Sequence, residues 1–179
     1  MILLPKQYQF VFTNRRYKIF MAGRGAGKSA VGLLEDIKLA KINKGCAGMI
    51  VSPTHAMSRD IIQRELLKIL NGKHPISPYR IGHVWRKGEE KKVIFPQWDS
   101  EIWFRSADDP TKLAGPNLAW VHLDELNITL EAYQEADARV RDPEAKILET
   151  IVTTTPTDQK WIEEQFPPET TDKQLFINA

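Results

Sequence analysis

Short apolar runs alternate along this chain with stretches in which apolar residues recur every three or four positions. The runs are bounded by Gly, Pro, Asn or Ser and predict buried strands, whereas the longer period predicts amphipathic helices. This alternation is typical of an α/β protein with a mainly parallel sheet flanked by helices. The predicted core strands are Tyr17–Ala22, Ala47–Ser52, Leu118–Asp124 and Ile147–Thr154, and another strand begins at Leu175–Ile177.

Helices are predicted between these strands, and their ends carry recognisable signals. Thr54 or Ser58 caps the second of them, and Asn71 and Gly72 end it. The region 79–106 differs, because three short alternating pieces are separated by turns, and it predicts a small antiparallel β insertion or edge region. The predicted helices are Lys28–Ile42, the segment from the Thr54 or Ser58 cap to Leu70, Leu130–Val140 and Trp161–Phe166.

Composition narrows the class of protein. With 179 residues, 42% of them hydrophobic and 27% charged, one folded domain with its own core is expected. The single cysteine, Cys46, excludes an intramolecular disulfide framework and a cysteine zinc cluster. No apolar run approaches a membrane span, and Met1–Lys6 is too short for a signal peptide, so a soluble intracellular protein is expected. A net charge of +2 argues against a protein that coats nucleic acid, so any DNA contact is local.

A phosphate-binding loop is predicted where the first strand meets the first long helix. Backbone N–H groups of such a loop surround the phosphates, and the helix N-terminus adds its positive dipole. Lys28 is expected to reach the β- and γ-phosphates, and the Ser29 hydroxyl is expected to bind Mg²⁺. Gly-Lys-Ser between a predicted strand and a predicted helix makes the pattern specific. The nucleotide-binding residues are Gly23, Arg24, Gly25, Ala26, Gly27, Lys28, Ser29 and Ala30.

Two adjacent carboxylates, Asp124 and Glu125, follow the third core strand. Asp124 is expected to hold Mg²⁺ through water, and Glu125 is expected to orient or deprotonate the attacking water. The long separation from Lys28 leaves room for a strand and a helix, which suits a sheet in which another strand lies between the two motif strands. Taken alone, the pair is equally well read as a solvated strand end.

Three threonines, Thr153, Thr154 and Thr155, end the last core strand before Pro156. Their hydroxyls are candidates for sensing the γ-phosphate and passing the signal to an element that grips DNA. The alternative is structural, because threonine favours strands and proline ends them.

Together these motifs resemble the ATPase domain of the large terminase subunit, the motor that packages DNA into tailed-phage heads. The resemblance covers nearly the whole chain in order, and an arginine inside the phosphate loop separates it from kinases and generic GTPases. It implies a P-loop NTPase fold of the ASCE/RecA-like type, with ATP and Mg²⁺ as cofactors. The matching segments are Pro5–Phe10, Met21–Ser29, Asp108–Pro116, His122–Glu125 and Thr153–Pro156, with Trp161 after them.

The resemblance also implies roles for individual residues. Gln7 would read the adenine edge, with Gln9 as the alternative, and Tyr8 or Tyr17 would stack on the base. Arg24 would contact the γ-phosphate or a neighbouring subunit, so that Glu125, Lys28 and Arg24 are the catalytic candidates.

Ala114 departs from the family pattern, because many relatives carry arginine there as a trans-acting finger. Arg105, Arg139 and Arg141 are substitutes, although a surface charge is the simpler interpretation of each. A single ATPase domain over residues 1–179, without the C-terminal lid and the nuclease domain, is expected.

The partners implied by the resemblance are double-stranded DNA, the small terminase subunit, the portal protein and further copies in a ring. A monomer in isolation stays open. The host cytoplasm is the implied location, with no membrane contact and no nuclease activity. The alternatives are the first lobe of a helicase-type DNA translocase and, as a non-enzyme, a nucleotide-binding interaction module that is inactive when isolated.

Structural roles are the favoured interpretation of the histidines and tryptophans. His55, His74, His83 and His122 are scattered without metal-ligand spacing, so structural or solvated roles are expected. Four tryptophans are interleaved with basic residues, which could grip DNA, but packing of a twisted edge is favoured. These tryptophans are Trp85, Trp98, Trp103 and Trp120.

Overall fold

A computed structural model describes residues 3–88, 91–115, 117–156 and 160–179. Pro116, which closes one of the matching segments, lies outside these residues, as do Glu89 and Glu90 of the predicted β region. The strands are β1 (Tyr17–Met21), β2 (Ala47–Ser52), β3 (Val84–Arg86), β4 (Lys92–Phe95), β5 (Ser100–Ser106), β6 (Trp120–Asp124), β7 (Glu149–Thr154) and β8 (Gln174–Asn178). The α-helices are α1 (Pro5–Phe12), α2 (Lys28–Ile42), α3 (His55–Met57), α4 (Arg64–Leu70), α5 (Leu130–Ala138) and α6 (Lys160–Gln165).

The described strands form one sheet in the order β3-β4-β5-β2-β6-β7-β1-β8. All neighbouring pairs are parallel except β3 with β4 and β4 with β5. β7 lies between β1 and β6, so one strand separates the phosphate-loop strand from the acidic strand, as the motif spacing predicted. Because the carboxyl ends of parallel strands meet at one edge, the ends of β1, β6 and β7 lie side by side there.

The predicted antiparallel region is present as β3, β4 and β5, but β5 also belongs to the main sheet, because it pairs parallel with β2 over Glu101–Ser106. Among the described strands only β4 runs the other way. It pairs antiparallel with both β5 and β3, so β3 at the sheet edge again runs in the direction of β5. Alternation along β5 cannot reveal the direction of its partner, because both pairing modes place every second side chain on one face.

Each face of the sheet has its own apolar core. α1, α2 and α4 cover one face, with Phe10, Leu33 and Leu66 fully buried beneath them. α5 and α6 cover the other face, where Tyr133 packs edge-on against Phe166 with ring centroids 5.2 Å apart. Side chains alternate along β6, so Val121 and Leu123 join the second core whereas Trp120, His122 and Asp124 face α2.

The helix predicted from Thr54 to Leu70 is interrupted. Thr54 caps α3, since its hydroxyl accepts a hydrogen bond from the Met57 amide at 3.2 Å. A π-helical segment, Ser58–Gln63, then connects α3 to α4. The Gln63 side-chain amide donates from Nε2 to the Ser58 hydroxyl at 3.1 Å, so a side-chain hydrogen bond also connects the two ends of this segment. Hydrophobic periodicity does not reveal such a segment, because the apolar face continues through it.

The edge tryptophans pack within the fold. Trp85 lies 5.4 Å from Phe104, measured between ring centroids, and Trp98 lies 5.0 Å from Phe95. Trp120 is fully buried at the centre of the sheet. These three tryptophans pack as expected, whereas the ring of Trp103 lies against Lys92 and Arg105, 5.6 Å and 5.3 Å from its centroid. Among the described residues, no helix has both the length and the apolar character needed to cross a bilayer.

Candidate active site

The phosphate loop occupies the turn between β1 and α2. Gly25 and Gly27 have φ values of 79° and 77°, which side chains larger than hydrogen rarely adopt. Gly27 is also the N-cap of α2, and a Cβ there would lie 2.8 Å from Gln7 Nε2. The first amides of a helix have no partner within it, so those of α2 are the kind of donor group that binds anions in other proteins.

The lysine of the loop is held over it and close to the acidic strand. Lys28 Nζ donates to the Gly23 carbonyl at 3.2 Å and lies 3.7 Å from Glu125 Oε1. The side chain is mostly buried, which strengthens its electrostatic interactions relative to water. A negative group entering the loop therefore meets a positioned ammonium.

Asp124 receives two hydroxyl groups on one oxygen. Ser29 Oγ and Thr153 Oγ1 each donate to Asp124 Oδ1 at 2.9 Å. The pKa of Asp124 is raised above its usual value, because the effect of burial exceeds the opposing effects of the nearby His122 and the two hydroxyl bonds. The serine hydroxyl and the aspartate carboxylate thus meet at the mouth of the loop, while their role in binding Mg²⁺ stays a prediction.

Glu125 leaves β6 in an unusual backbone conformation. Its φ is 64°, in the left-handed region, which costs a non-glycine residue roughly 1–2 kcal/mol. The turn points its carboxylate towards Thr155, whose amide and hydroxyl donate to Glu125 Oε2 at 3.1 Å and 2.7 Å. Strain of this kind clusters at functional sites. The side chain stays partly exposed, so it is accessible to water.

A cleft of about 420 Å³ opens beside these groups. On the other side of the phosphate loop lies an apolar cleft of about 430 Å³. Gln7 borders the apolar cleft, where its amide donates to the Ala26 carbonyl at 3.2 Å and its Oε1 accepts from the Leu4 amide at 3.0 Å. The first cleft is lined by Arg24, Ser29, Met57, Ile61, Asp124, Glu125, Asn127 and Thr155.

The structure separates the three threonines by their contacts. Thr155 borders the 420 Å³ cleft and donates to Glu125, whereas Thr153 and Thr154 are buried. Thr153 contacts Asp124, and the Thr154 hydroxyl accepts from the Leu126 amide at 3.2 Å and donates to Glu125 at 3.4 Å. Of the three threonines, Thr155 is therefore the one whose side chain a ligand in this cleft could reach.

His122 and Asp36 form a buried pair behind Asp124. His122 Nδ1 lies 2.7 Å from Asp36 Oδ2, and Nε2 lies 2.8 Å from Thr153 Oγ1. Burial disfavours the charged imidazole, yet the carboxylates of Asp36, Asp124 and Glu35, with Asp36 the strongest of them, together outweigh that cost and raise the pKa of His122. Sequence reasoning placed His122 among structural histidines and did not single out Asp36. The alternation of Trp120, His122 and Asp124 on one face of β6 was the available signal.

Other sequence candidates lie elsewhere or have partners. Tyr17 is at the end of β1 opposite the phosphate loop, where its hydroxyl donates to Asp137 Oδ2 at 3.4 Å. Tyr8 is exposed on α1 beside Phe12, with ring centroids 4.4 Å apart. The three substitute arginines bind within the chain: Arg105 bonds the Phe104 carbonyl, Arg139 pairs with Glu135, and Arg141 bonds Asn117.

A phosphate loop whose strand is separated by one strand from an Asp-Glu strand end defines the RecA-like class of P-loop NTPases. Residues 19–177 match the family described as the T4likevirus-type terminase large subunit, N-terminal. The chain therefore belongs to the terminase large-subunit family and is an ATPase domain of that subunit. The match favours this assignment over the helicase-type alternative. No curated protein sequence matches the chain.

Solved structures agree on the fold. The Thermus phage P74-26 large terminase ATPase domain superposes with a TM-score of 0.77 at 18% identity, covering 99% of this chain and 81% of that one. The large terminase of a thermophilic bacteriophage in complex with ADP gives 0.73 at 14% identity, covering 97% and 44%. The HK97 bacteriophage large terminase gives 0.68 at 17% identity, covering 98% and 39%. This chain thus spans less than half of the last two large terminases.

Proposed function

We propose that this chain binds ATP with Mg²⁺ and hydrolyses it, and that hydrolysis moves viral double-stranded DNA into a prohead. The observation that carries the proposal is the meeting of loop and acidic strand, with Ser29 Oγ 2.9 Å from Asp124 Oδ1 and Lys28 Nζ 3.7 Å from Glu125 Oε1. Family membership and the ADP complex of the thermophilic phage terminase support an adenine nucleotide as the ligand.

The two clefts divide the nucleotide between them. The phosphates lie in the loop against the first amides of α2, where Lys28 and Arg24 stabilise charge on the β- and γ-phosphates. The base enters the apolar cleft, where Gln7 reads its edge after exchanging its bond to the Ala26 carbonyl. Residues of the loop line both clefts, Arg24 and Ser29 one of them and Ala26 the other, so a single nucleotide would extend over both.

The donor set fits Mg²⁺. Among the described residues, no group of three or more His, Cys, Asp and Glu side chains gathers into a metal cluster. That suits Mg²⁺ at a nucleotide site, which takes one or two protein oxygens and completes its coordination with water and phosphate. Ser29 and Asp124 would hold the ion. When bound, it would neutralise negative charge on the phosphates.

Glu125 is the proposed general base. A water molecule attacks the γ-phosphorus, a new P–O bond forms, and the bond from that phosphorus to the β–γ bridging oxygen breaks. Glu125 takes the proton from the water, and ADP leaves with the bridging oxygen. Thr155 holds Glu125 Oε2 through two donors, so Oε1 is the oxygen that faces Lys28 and the cleft.

The motor role and its partners rest on the family. The Phi-28 gp11 DNA packaging motor shares the fold with a TM-score of 0.55 at 11% identity, covering 96% of this chain and 58% of that one. Double-stranded DNA, the small subunit, the portal and a ring of copies are the proposed partners. Work in the host cytoplasm is part of the same proposal.

The Glu125→Gln variant tests the assignment of the base. The amide keeps the shape but cannot accept the proton, so turnover should fall by roughly 10²–10⁴-fold while ATP binding persists. Phosphate release and fluorescent-nucleotide titration measure the two quantities. Glu163→Gln, an exposed change on α6, is the control and should behave as the parent does. Turnover at the parental rate in Glu125→Gln would refute the role.

The interaction-module alternative keeps one supporting observation, which is Ala114 in place of a finger arginine. Hydrolysis measured against protein concentration separates the two functions. A ring motor gains specific activity as subunits meet. A module binds nucleotide at every concentration and stays without turnover.

A further inference from the structure

A continuous hydrogen-bonded chain connects the middle of α2 to the proposed magnesium ligands. Trp120 Nε1 donates to Asp36 Oδ1 at 2.9 Å, and Asp36 Oδ2 lies 2.7 Å from His122 Nδ1. His122 Nε2 lies 2.8 Å from Thr153 Oγ1, which donates to Asp124 Oδ1 at 2.9 Å. The first four members are fully buried. We call Trp120, Asp36, His122, Thr153 and Asp124 the buried relay.

Counting hydrogens gives the relay a direction. The Thr153 hydroxyl has one hydrogen, and that hydrogen points to Asp124. Thr153 Oγ1 must therefore accept from His122, so Nε2 carries a hydrogen. His122 Nδ1 and Asp36 Oδ2 share the proton between them at 2.7 Å. Without Asp36, His122 could present an unprotonated Nε2, and the Thr153 hydroxyl would turn away from Asp124 to donate to it.

The absence of a side chain at Gly32 lets α2 approach the His122 ring closely. A Cβ at Gly32 on α2 would lie 2.4 Å from His122 Cε1 and 2.9 Å from Thr153 Cγ2. Asp124 and Thr153 are also register partners on β6 and β7, so their side chains share one face. Helix and strands thus meet closely at His122, whose side chain is fully buried.

α2 is connected to Asp124 in two ways. Ser29 in the first turn of the helix bonds Asp124 directly, and Asp36, two turns later, reaches the same carboxylate through His122 and Thr153. Satisfaction of buried polar groups alone would explain Trp120 and Asp36. It does not explain why the last donor of the relay, Thr153, bonds the same carboxylate oxygen of Asp124 as the Ser29 hydroxyl does.

We propose that Asp36 and His122 are positioning residues that act through the Thr153 hydroxyl to orient Asp124 for Mg²⁺. The inference rests on the proposed function, since it needs Asp124 to take part in metal binding. In this proposal Thr153 orients Asp124 and does not sense the γ-phosphate. Asp36 and His122 are fully buried and do not line the cleft beside Ser29, so neither would contact the nucleotide or the metal directly. Partners behind a metal ligand commonly change metal affinity or activity by about 10–100-fold.

The test is the Thr153→Val variant, which keeps the shape and removes the donor. A fluorescent ADP is titrated with and without Mg²⁺, and then at fixed nucleotide with increasing Mg²⁺. The Mg²⁺ concentration for half-maximal binding should rise by about 10–100-fold, whereas metal-free affinity stays unchanged. Thr153→Ser retains the hydroxyl and should restore the parental Mg²⁺ requirement.

Thr150→Val is the matched control on the same strand. The Thr150 hydroxyl is also in a buried residue, but it accepts from Arg16 at 2.9 Å and donates to Asp137 at the far end of β7. Its loss should lower the melting temperature and leave the Mg²⁺ requirement unchanged. Equal shifts in Thr150→Val and Thr153→Val would show general loosening and overturn the proposal, as would a Thr153→Val variant with the parental requirement.

Failure of the proposed function has a different signature. If the parental chain binds ADP no better with Mg²⁺ than without it, then the metal role of Asp124 is wrong, and the positioning proposal falls with it. If Mg²⁺ strengthens binding in the parent and equally in Thr153→Val, the positioning proposal alone is wrong. The binding readout needs no turnover, so it works on this chain whether or not hydrolysis requires a ring.

Discussion

Glu35 and Asp36 are adjacent on α2 and both fully buried, yet they belong to networks of different kinds. Asp36 contributes to the buried relay, in which consecutive members are joined by hydrogen-bond contacts. Glu35 lies 2.8 Å from Lys18 Nζ, which also lies 3.4 Å from Glu149. We call Lys18, Glu35 and Glu149 the charge cluster. Its members are held together by ion pairs between fully buried side chains.

Buried polar side chains have two different effects in these networks. An ion pair depends mainly on distance, so the charge cluster joins α2 to β1 and β7 without fixing the direction of any one atom. A hydrogen bond depends on direction as well, so the buried relay sets which way each group points. We therefore expect changes in the charge cluster to affect stability, and changes in the buried relay to affect the chemistry at Asp124.

Lys18→Met should give the largest effect on stability. It leaves Glu149 without its cation and Glu35 with Lys38 alone, and removing one partner of a buried pair costs about 3–5 kcal/mol. Urea unfolding measures the loss, and Lys160→Met at the exposed start of α6 is the control. A loss no larger than the control's would show that the cluster is not a stabilising unit. Nucleotide affinity of the folded fraction should not change.

Truncating the two neighbours separates the networks directly. Asp36→Ala should lower turnover by about 10–100-fold, because His122 loses the group that fixes its tautomer. Glu35→Ala should lower stability and leave turnover as it was. Phosphate release, measured well below each melting temperature, gives the comparison. Equal turnover in the two variants would remove the distinction.

Asp36→Asn tests whether the hydrogen bonds of Asp36 or its charge matter for turnover. The amide oxygen can still accept from Trp120, and its NH₂ group can donate to His122 Nδ1, which keeps the hydrogen on Nε2. We expect this variant to recover most of the turnover that Asp36→Ala loses. Turnover as low as in Asp36→Ala would mean that the charge of Asp36, more than its hydrogen bonds, is what Asp124 requires.

Gly32→Ala tests the close contact of α2 with the buried relay. The added methyl group overlaps His122, and overpacking of this kind costs about 1–3 kcal/mol. Turnover should also fall, because the ring must move. Adding His122→Ala removes the overlap with the ring, although the contact with Thr153 Cγ2 stays. In the His122→Ala background, Gly32→Ala should therefore cost less stability than it does in the parent, and turnover should stay low. Turnover at the parental level in the double variant would contradict the role of His122.

Glu149→Gln gives the smallest effect, as a pH dependence. Burial and the Glu35 charge raise the pKa of Glu149 above its usual 4.5, so the folded state holds this proton more tightly than the unfolded chain. The associated stability is present below the unfolded pKa and is lost as pH rises through the folded pKa. Glutamine cannot ionise, so the variant avoids that loss. Its free energy of unfolding relative to the parent should rise with pH, by at most about 1.4 kcal/mol per unit. Parallel pH profiles in urea unfolding would argue against the raised pKa.

Much of the fold followed from local pattern. β1, α2 and β2 begin and end within one residue of the predicted bounds, because a strand period, a glycine turn and a helix period follow one another there. The partner direction of β5 and the π-helical segment could not be predicted. Each depends on contacts between residues that are distant in sequence or on a hydrogen-bond shift that leaves the apolar period intact.

The site divides in the same way. Lys28, Ser29, Asp124 and Glu125 were recognised because their chemistry is written in contiguous motifs, although their catalytic roles stay predictions. Asp36 lies in the middle of a helix with no motif around it, and only the packing of α2 on β6 brings it to His122. The left-handed backbone of Glu125 is likewise a consequence of the strand end, where its amide bonds the Thr153 carbonyl at 2.7 Å.

By itself the sequence determined the class of this protein, since periodicity and turn chemistry are local properties that place a phosphate loop and an acidic strand in order. Tertiary structure decided which buried polar groups meet. The direction of a hydrogen bond depends on atoms from α2, β6 and β7 arriving within 3 Å of one another, and their separation along the chain carries no record of that meeting.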